Sequence, residues 1–248
     1  MNTLFNSLLY YSRIPIPFKV KCNSEILSRA LRFLPLVGLI VGAIGYLAFY
    51  LASLFLPHSV AIIATIIAMV LSTGALHEDG FADFCDGFGG GYDKEAVLRI
   101  MKDSCIGCYG VIGLILIFML RYSLLSSFDS KDLMMVVILS QGASRLAPVF
   151  MVRTSSYARV ENAKSSQSAL GISNWGVVVA MIFALTPLFL IGWCFSLAYV
   201  FIVGVVFLLF RAYLHRRIGG FTGDTLGALQ IICEILFYVT FIGVSNLN

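Results

Sequence analysis

Charge is scarce in this chain. Asp, Glu, Lys and Arg make up 12% of its 248 residues while hydrophobic side chains make up 59%, and the mean hydropathy is +0.93. A soluble globular domain is about one-quarter charged, so that class is excluded and the composition is that of an integral membrane protein. Histidine is scarcer still, with three in the chain, which argues against a transition-metal cage built on imidazole. The six cysteines do not amount to a disulfide framework. Cys85, Cys105 and Cys108 fall on the side read below as cytoplasmic, where thiols stay reduced, and Cys194 and Cys233 lie in or near apolar stretches. Cys105 and Cys108 form a CxxC, but without the second pair or neighbouring His that a zinc site wants. There is no internal repeat, low-complexity tract or Pro, Gly or Ser-rich linker, so residues 1–248 read as a single domain. There is no nucleic-acid motif either. The first twelve residues lack the basic start and small-residue cleavage site of a signal peptide.

Uncharged apolar stretches of about 18 to 22 residues suit a hydrocarbon core of about 30 Å. They predict spans near 34–56, 59–76, 108–127, 133–152, 174–192, 194–212 and 225–245. The expected fold is all-α: a polytopic membrane helix bundle of about seven transmembrane helices. Leu4, Phe5, Leu8 and Leu9 share one helical face, which adds a short N-terminal interfacial helix ending at Arg13-Ile14-Pro15-Ile16-Pro17. Short cytoplasmic segments retain Lys and Arg. With the N-terminus inside, fourteen of the seventeen basic residues fall on the cytoplasmic side, leaving Lys131 in an outer loop and Arg121 and Arg145 within spans. The formal charge of +4 is therefore a topology signal. The reading is a cytoplasmic (inner) membrane protein whose polar segments 77–106 and 219–228 face the cytoplasm and meet across the bundle.

Seven of the thirteen acidic residues lie between Ser72 and Ile106. On a helix, Asp79, Asp83 and Asp86 fall within an arc of about 60°, so their carboxylates point the same way. Two like charges about 4 Å apart repel by roughly 4 kcal/mol at an effective dielectric near 20, so such a face calls for a cation, and magnesium with a diphosphate is the expected one. Solvated acids at a helix end are the plainer alternative. Glu78 flanks the face about 100° away, and His77 reads as an interfacial hydrogen-bonding group. Gly89 and Gly90, beside Gly87 and Gly91, clear side chains from the approach to the backbone.

Downstream, Asp93 is placed to cap a short helix in which Glu95, Arg99 and Asp103 follow at i, i+4 spacing. Arg99 and Lys102 also offer positive charge to a diphosphate. In the second polar island, Gly219 to Ala228, Thr222 and Asp224 stand at a helix start, where Asp224 is equally a cap and a ligand to phosphate or sugar. Gln141, Ser144 and Arg145 form a polar stripe in an apolar span. Arg145 is expected to find an anion, either Glu234 in the last span or a phosphate. Arg153, Tyr157 and Arg159 add basic and aromatic groups in the following loop.

The chain resembles the cobalamin synthases, the adenosylcobinamide-GDP ribazoletransferase family. The likeness runs nearly end to end, through RIPIP at 13–17, Phe33-Leu34-Pro35-Leu36 with Gly38 and Gly42, HEDGFADFCDGFGGG at 77–91, IMKDSCIGCYG at 100–110, Ser144-Arg145, Tyr157-Ala158-Arg159 and GGFTGDTLGA at 219–228. It departs at Phe84-Cys85, where small or polar residues are common, and at Cys105 and Cys108, which stand where Arg and Thr are frequent.

The resemblance implies a magnesium-dependent transferase joining adenosylcobinamide-GDP to α-ribazole, or its 5'-phosphate, with release of GMP. Asp79, Asp83 and Asp86, flanked by Glu78, would hold Mg2+, and Glu78 or Asp103 would serve as general base. Arg99, Lys102, Arg145, Gly89, Gly90, Thr222 and Asp224 would bind substrate. Besides those substrates the implied partner is the lipid bilayer, and a homo-oligomer or association with other late cobalamin-pathway enzymes is compatible with it. Two other readings remain. One is a CDP-alcohol phosphotransferase, which would want an Ala-Arg pair where Ala82-Asp83 stands. The other is a cobalt or corrinoid transporter, which would want ionisable groups near the midplane of several spans.

Overall fold

The computed structural model describes residues 2–16, 28–159 and 171–246, and these are helical throughout apart from short connections. The helices are α1 (Asn2–Tyr11), α2 (Leu34–Ser53, led by a 3₁₀ turn at Leu31–Phe33), α3 (His58–Thr73), α4 (Leu76–Gly90), α5 (Lys94–Ile100), α6 (Cys108–Ser126) and α7 (Ser130–Ser144). They continue with α8 (Leu146–Thr154), α9 (Asn174–Leu185, running into a 3₁₀ turn at Thr186–Leu190), α10 (Trp193–Ile218) and α11 (Gly223–Ser245).

Among the described residues, five helical stretches are long and apolar enough to cross a membrane: Ser28–Ser53, Cys108–Ser126, Ser130–Thr154, Trp193–Ile218 and Gly223–Ser245. The count becomes six if α3 and α4, which meet at 88°, are one broken span. The expected span at 174–192 is a shorter apolar segment, because Pro187 lacks the N–H that would continue α9 as an α-helix. The expected span at 59–76 corresponds to α3, only 16 residues long. The chain turns off its axis into α4, which carries Glu78, Asp79, Asp83 and Asp86 and lies outside the five crossing helices.

The centre is the α7–α8 stretch with α11, whose apolar 18-residue segments are 83% and 67% buried, whereas those of α6 and α10 are each 22% buried and present Ile115, Leu116, Met119, Phe201, Leu208 and Leu209 outward. Helices apolar all round with one face uncovered are what a lipid environment selects. Pro148 explains why the central stretch breaks at Arg145: its ring crowds the carbonyl of Ser144 and offers no hydrogen bond in return. Close approach of α2 to α7 depends on Gly38 and Gly42, where a Cβ would run into the backbone of Gln141 and Ile138.

Candidate active site

The site begins at the corner between α3 and α4. Gly74 and Ala75 both take left-handed backbone (φ 66° and 58°), and the N–H of Ala75 closes the end of α3 on the Val70 carbonyl at 2.9 Å. The N–H of Arg13 donates to the Ser72 carbonyl at 2.7 Å, and its side chain lies over Gly74 where a Cβ would stand. Arg13 thus braces the corner from which the acidic helix departs. Along α4, Asp79 is exposed, Asp83 half-buried and Asp86 buried.

α11 brings its first turn against this face. A Cβ on Gly80 would lie 3.0 Å from the Cα and carbonyl oxygen of Asp224, and one on Gly227 would lie 3.1 Å from the carbonyl oxygen of His77. The two helices therefore meet backbone to backbone, and the two polar segments do come together. Thr222 is the N-cap of α11, in a reciprocal box: its hydroxyl accepts from the Thr225 N–H at 3.3 Å and its own N–H donates to the Thr225 hydroxyl at 2.9 Å. The cap being filled, Asp224 is free to accept from Arg159 Nη2 at 2.9 Å. Arg159 is carried by a short parallel bridge, with the Ala158 N–H on the Phe221 carbonyl and the Phe221 N–H on the Ser156 carbonyl, each 2.9 Å.

Asp79, Asp83 and Asp224 thus crowd together with Arg159 as a counter-charge. The Asp83 carboxyl is pushed up to about 6, first by burial and then by Asp224, Asp79 and Asp86, with Arg159 pulling the other way. That is the signature of a carboxylate cluster short of positive charge.

Several expected site residues are placed otherwise. Both oxygens of Asp86 are taken by the backbone at the start of α6, accepting from the N–H of Gly107 at 2.7 Å and of Gly110 at 2.8 Å. A Cβ at either glycine would collide with that carboxylate. Asp86 anchors a helix N-terminus, where a negative charge is favoured, rather than facing outward with Asp79 and Asp83. Glu78 turns into the bundle, where Arg121 of α6 binds it (Nη1–Oε1, 3.0 Å) and Glu234 of α11 (Nη2–Oε2, 3.0 Å), all three buried. Tyr238 donates to the other Glu234 oxygen at 2.8 Å. The partner of Glu234 is therefore Arg121 and not Arg145, and Glu78 is committed to an interior ion pair rather than to the carboxylate face.

Asp93 caps α5 as expected, accepting from the Ala96 N–H at 2.7 Å. Asp103 is exposed and accepts from the Cys105 N–H at 3.0 Å. Arg99 and Lys102 are exposed, and no ion pair joins Glu95, Arg99 and Asp103 among the described residues. Gly89 gives room to the Tyr109 ring, and Gly90 stands exposed beside Ile100. Of the two base candidates, Glu78 is thus held in the interior by Arg121, while Asp103 stands exposed with one oxygen on the Cys105 N–H.

Behind the cluster lies a cavity of about 250 Å³ between α1, α2, α4, α8 and α11, with Asp79, Gly223 and Asp224 at its exposed rim and His77, Arg145 and Gln230 at its buried end. Arg145 is 1% exposed. Its Nη1 donates to the Gln141 carbonyl at 2.6 Å and side-chain oxygen at 2.8 Å, while Nε and Nη2 have no partner, nor do His77 Nε2 and Gln230 Oε1. Sequence reasoning gave no site role to Arg121, Tyr10 or Tyr11 and saw Arg159 only as loop charge. Arg121 alone carried a usable signal, as an ionisable group inside an apolar span.

The donor set for a metal is all oxygen, as magnesium requires. No group of three or more His, Cys, Asp or Glu side chains that could hold a metal ion forms among the described residues.

The comparisons with known proteins bear on the same segments. Residues 3–242 match the family described as cobalamin-5-phosphate synthase. The chain belongs to that family. It is 38% identical over 239 residues to the adenosylcobinamide-GDP ribazoletransferase of Shewanella amazonensis, covering 94% of this chain and 92% of that one. It is 39% identical over 233 residues to that of Vibrio cholerae (93% and 89%), and 40% identical over 239 residues to that of Ralstonia nicotianae (94% and 92%). No solved structure matches the chain. Membership of the cobalamin-5-phosphate synthases agrees with the likeness drawn from RIPIP, the acidic stretch and GGFTGDTLGA. It disfavours the CDP-alcohol phosphotransferase and transporter readings.

Proposed function

We propose that this protein joins adenosylcobinamide-GDP to α-ribazole, or its 5'-phosphate, releasing GMP, at a site built by α4 and the first turn of α11 on the cytoplasmic face of the inner membrane. The observation that carries the reading is the convergence of Asp79, Asp83 and Asp224, beside Arg159, at the rim of a deep cavity. In the reaction a ribose hydroxyl of ribazole forms a bond to the phosphorus bearing the cobinamide arm. The bond from that phosphorus to the bridging oxygen breaks, GMP departs with the bridging oxygen, and the hydroxyl proton is released. Such a transfer asks the protein mainly for alignment and for neutralisation of spreading negative charge.

One or two of the carboxylates of Asp79, Asp83 and Asp224 would hold Mg2+, with phosphate and water completing its shell, and the ion would supply Lewis-acid neutralisation of the diphosphate when bound. Arg159 offers the diphosphate a charge-assisted donor while orienting Asp224. Asp86 acts at one remove, fixing the 107–110 turn against α4. The backbone contact of α4 with α11 keeps the carboxylates in register without a flexible loop between them.

The purified protein in detergent should release GMP only when both substrates and Mg2+ are present, and lose the activity with EDTA. Release that ignores ribazole, or persists in EDTA, would overturn the transfer or its metal dependence respectively. The orientation is tested at Tyr92, 98% exposed on the turn after α4. Tyr92→Cys should be labelled by an impermeant thiol reagent only after the cytoplasmic face is opened, and labelling in intact cells would reverse the topology.

A further inference from the structure

The cavity behind the carboxylates is mostly apolar, lined by Leu31, Leu34, Pro148, Val152 and Phe221, yet its buried end carries unpartnered polar atoms on Arg145, His77 and Gln230. A guanidinium that is 1% exposed with two idle donor nitrogens costs free energy unless a ligand or water meets it. The site is therefore a mostly apolar cavity with a hydrogen-bond donor at its buried end and acids at its entrance. At about 250 Å³ it falls just below the usual range of roughly 300–1,000 Å³ for small-molecule pockets. It holds a bicyclic base and does not hold a corrin ring.

We propose, resting on the reaction above, that this cavity seats the base of α-ribazole, with the free ring nitrogen of its benzimidazole accepting from Arg145 and its ribose projecting to Asp79 and Asp224 at the rim. A phosphate is the other natural partner of a guanidinium, and the charges around Arg145 weigh against it. Around a shared void of about 10 Å³ stand two guanidiniums, Arg121 and Arg145, and two carboxylates, Glu78 and Glu234, so the charges balance in number although both carboxylates bond to Arg121. A buried phosphate would bring negative charge with no cation left to meet it. A neutral ring acceptor asks only for the donor that Arg145 has spare. The base also buries its dimethyl edge against the aliphatic wall, which a phosphate would leave dry and unfilled.

The closing experiment compares α-ribazole with its indole-type analogue, in which the free ring nitrogen is a C–H group. The wild-type enzyme should show at least a tenfold higher KM for the analogue, with the KM for adenosylcobinamide-GDP unchanged, and Arg145→Met should shrink that discrimination to near unity. A merely structural role for Arg145 would leave the ratio intact, which overturns the proposal. So does a variant that keeps the ratio while losing a preference for the 5'-phosphate, since Arg145 would then read phosphate. Independently of any variant, a photoreactive benzimidazole riboside should label Leu31–Leu34 or Pro148–Val152 in the wild-type protein. Labelling confined to other segments, in an enzyme that does release GMP, sinks the pocket assignment alone. Absence of GMP release from the wild type would sink the reaction itself.

Discussion

Asp83 is the residue at which stability and chemistry pull against each other. Its carboxyl titrates near 6 in the folded protein against an ordinary 3.8, so the fold favours its protonated form. The sign follows from linkage: a raised carboxyl contributes stability that is fully present below about pH 4 and is lost as pH rises through about 6. Asp83→Asn removes that loss. The metal-free variant should therefore melt higher than wild type at pH 8 and no higher at about pH 4, while its turnover falls by orders of magnitude. Scanning calorimetry at the two pH values checks the first, and a GMP-release assay the second. An unaltered melting temperature at pH 8 would show that the carboxylates do not repel. A related expectation concerns the wild type. Since a metal ligand must be deprotonated, the Mg2+ concentration giving half-maximal rate should climb about tenfold for each pH unit below about 6 and stay flat above about 7. A flat dependence throughout would remove Asp83 from the metal.

At the scale of elements, the contact of α4 with α11 depends on the absence of side chains at two positions. Gly80→Val places a branched Cβ against the backbone of Asp224, which lies 3.0 Å from the position of an added Cβ and cannot rotate away. Overpacking of this kind costs about 1–3 kcal/mol, and the helix start carrying Asp224 should move. The variant should insert and express, yet lose at least tenfold in kcat. Full activity would mean that α11 does not supply a site residue. How much of this can be read from sequence depends on distance along the chain. The face of Asp79 and Asp83 is legible because it is set by helical periodicity within a few residues, and so is the Asp93 cap. What Asp86 binds is not, since Gly107 and Gly110 lie 21 and 24 residues on. The Glu78–Arg121–Glu234 arrangement spans 43 and 113 residues, beyond anything periodicity reports. The apolar segment at 174–190 reads as a span by composition, and Pro187 shortens it.

For the whole molecule, Arg121 is the tie that joins three separate stretches of chain in the interior. Two buried carboxylates lean on one guanidinium, so Arg121→Met leaves both without their charge partner. Breaking a buried pair from one side costs about 3–5 kcal/mol. The variant should be recovered at reduced yield with a lowered melting temperature in detergent, and Glu78→Gln combined with Glu234→Gln in the same background should restore part of the loss. A fully stable single variant would mean that water replaces the guanidinium at no cost.

The same tie has a consequence in time. Glu234 lies 113 residues after Arg121, and at about 5–20 residues per second a ribosome needs roughly 6 to 23 s to cover that interval. During that period α6 sits in the membrane with its arginine facing one carboxylate instead of two, and the rim of the cavity lacks Asp224 and its backing helix. α11, made well after α4 and α6, thus completes both the charge balance of the interior and the cluster of acids at the cavity rim. A nascent chain stalled before Gly223 holds neither.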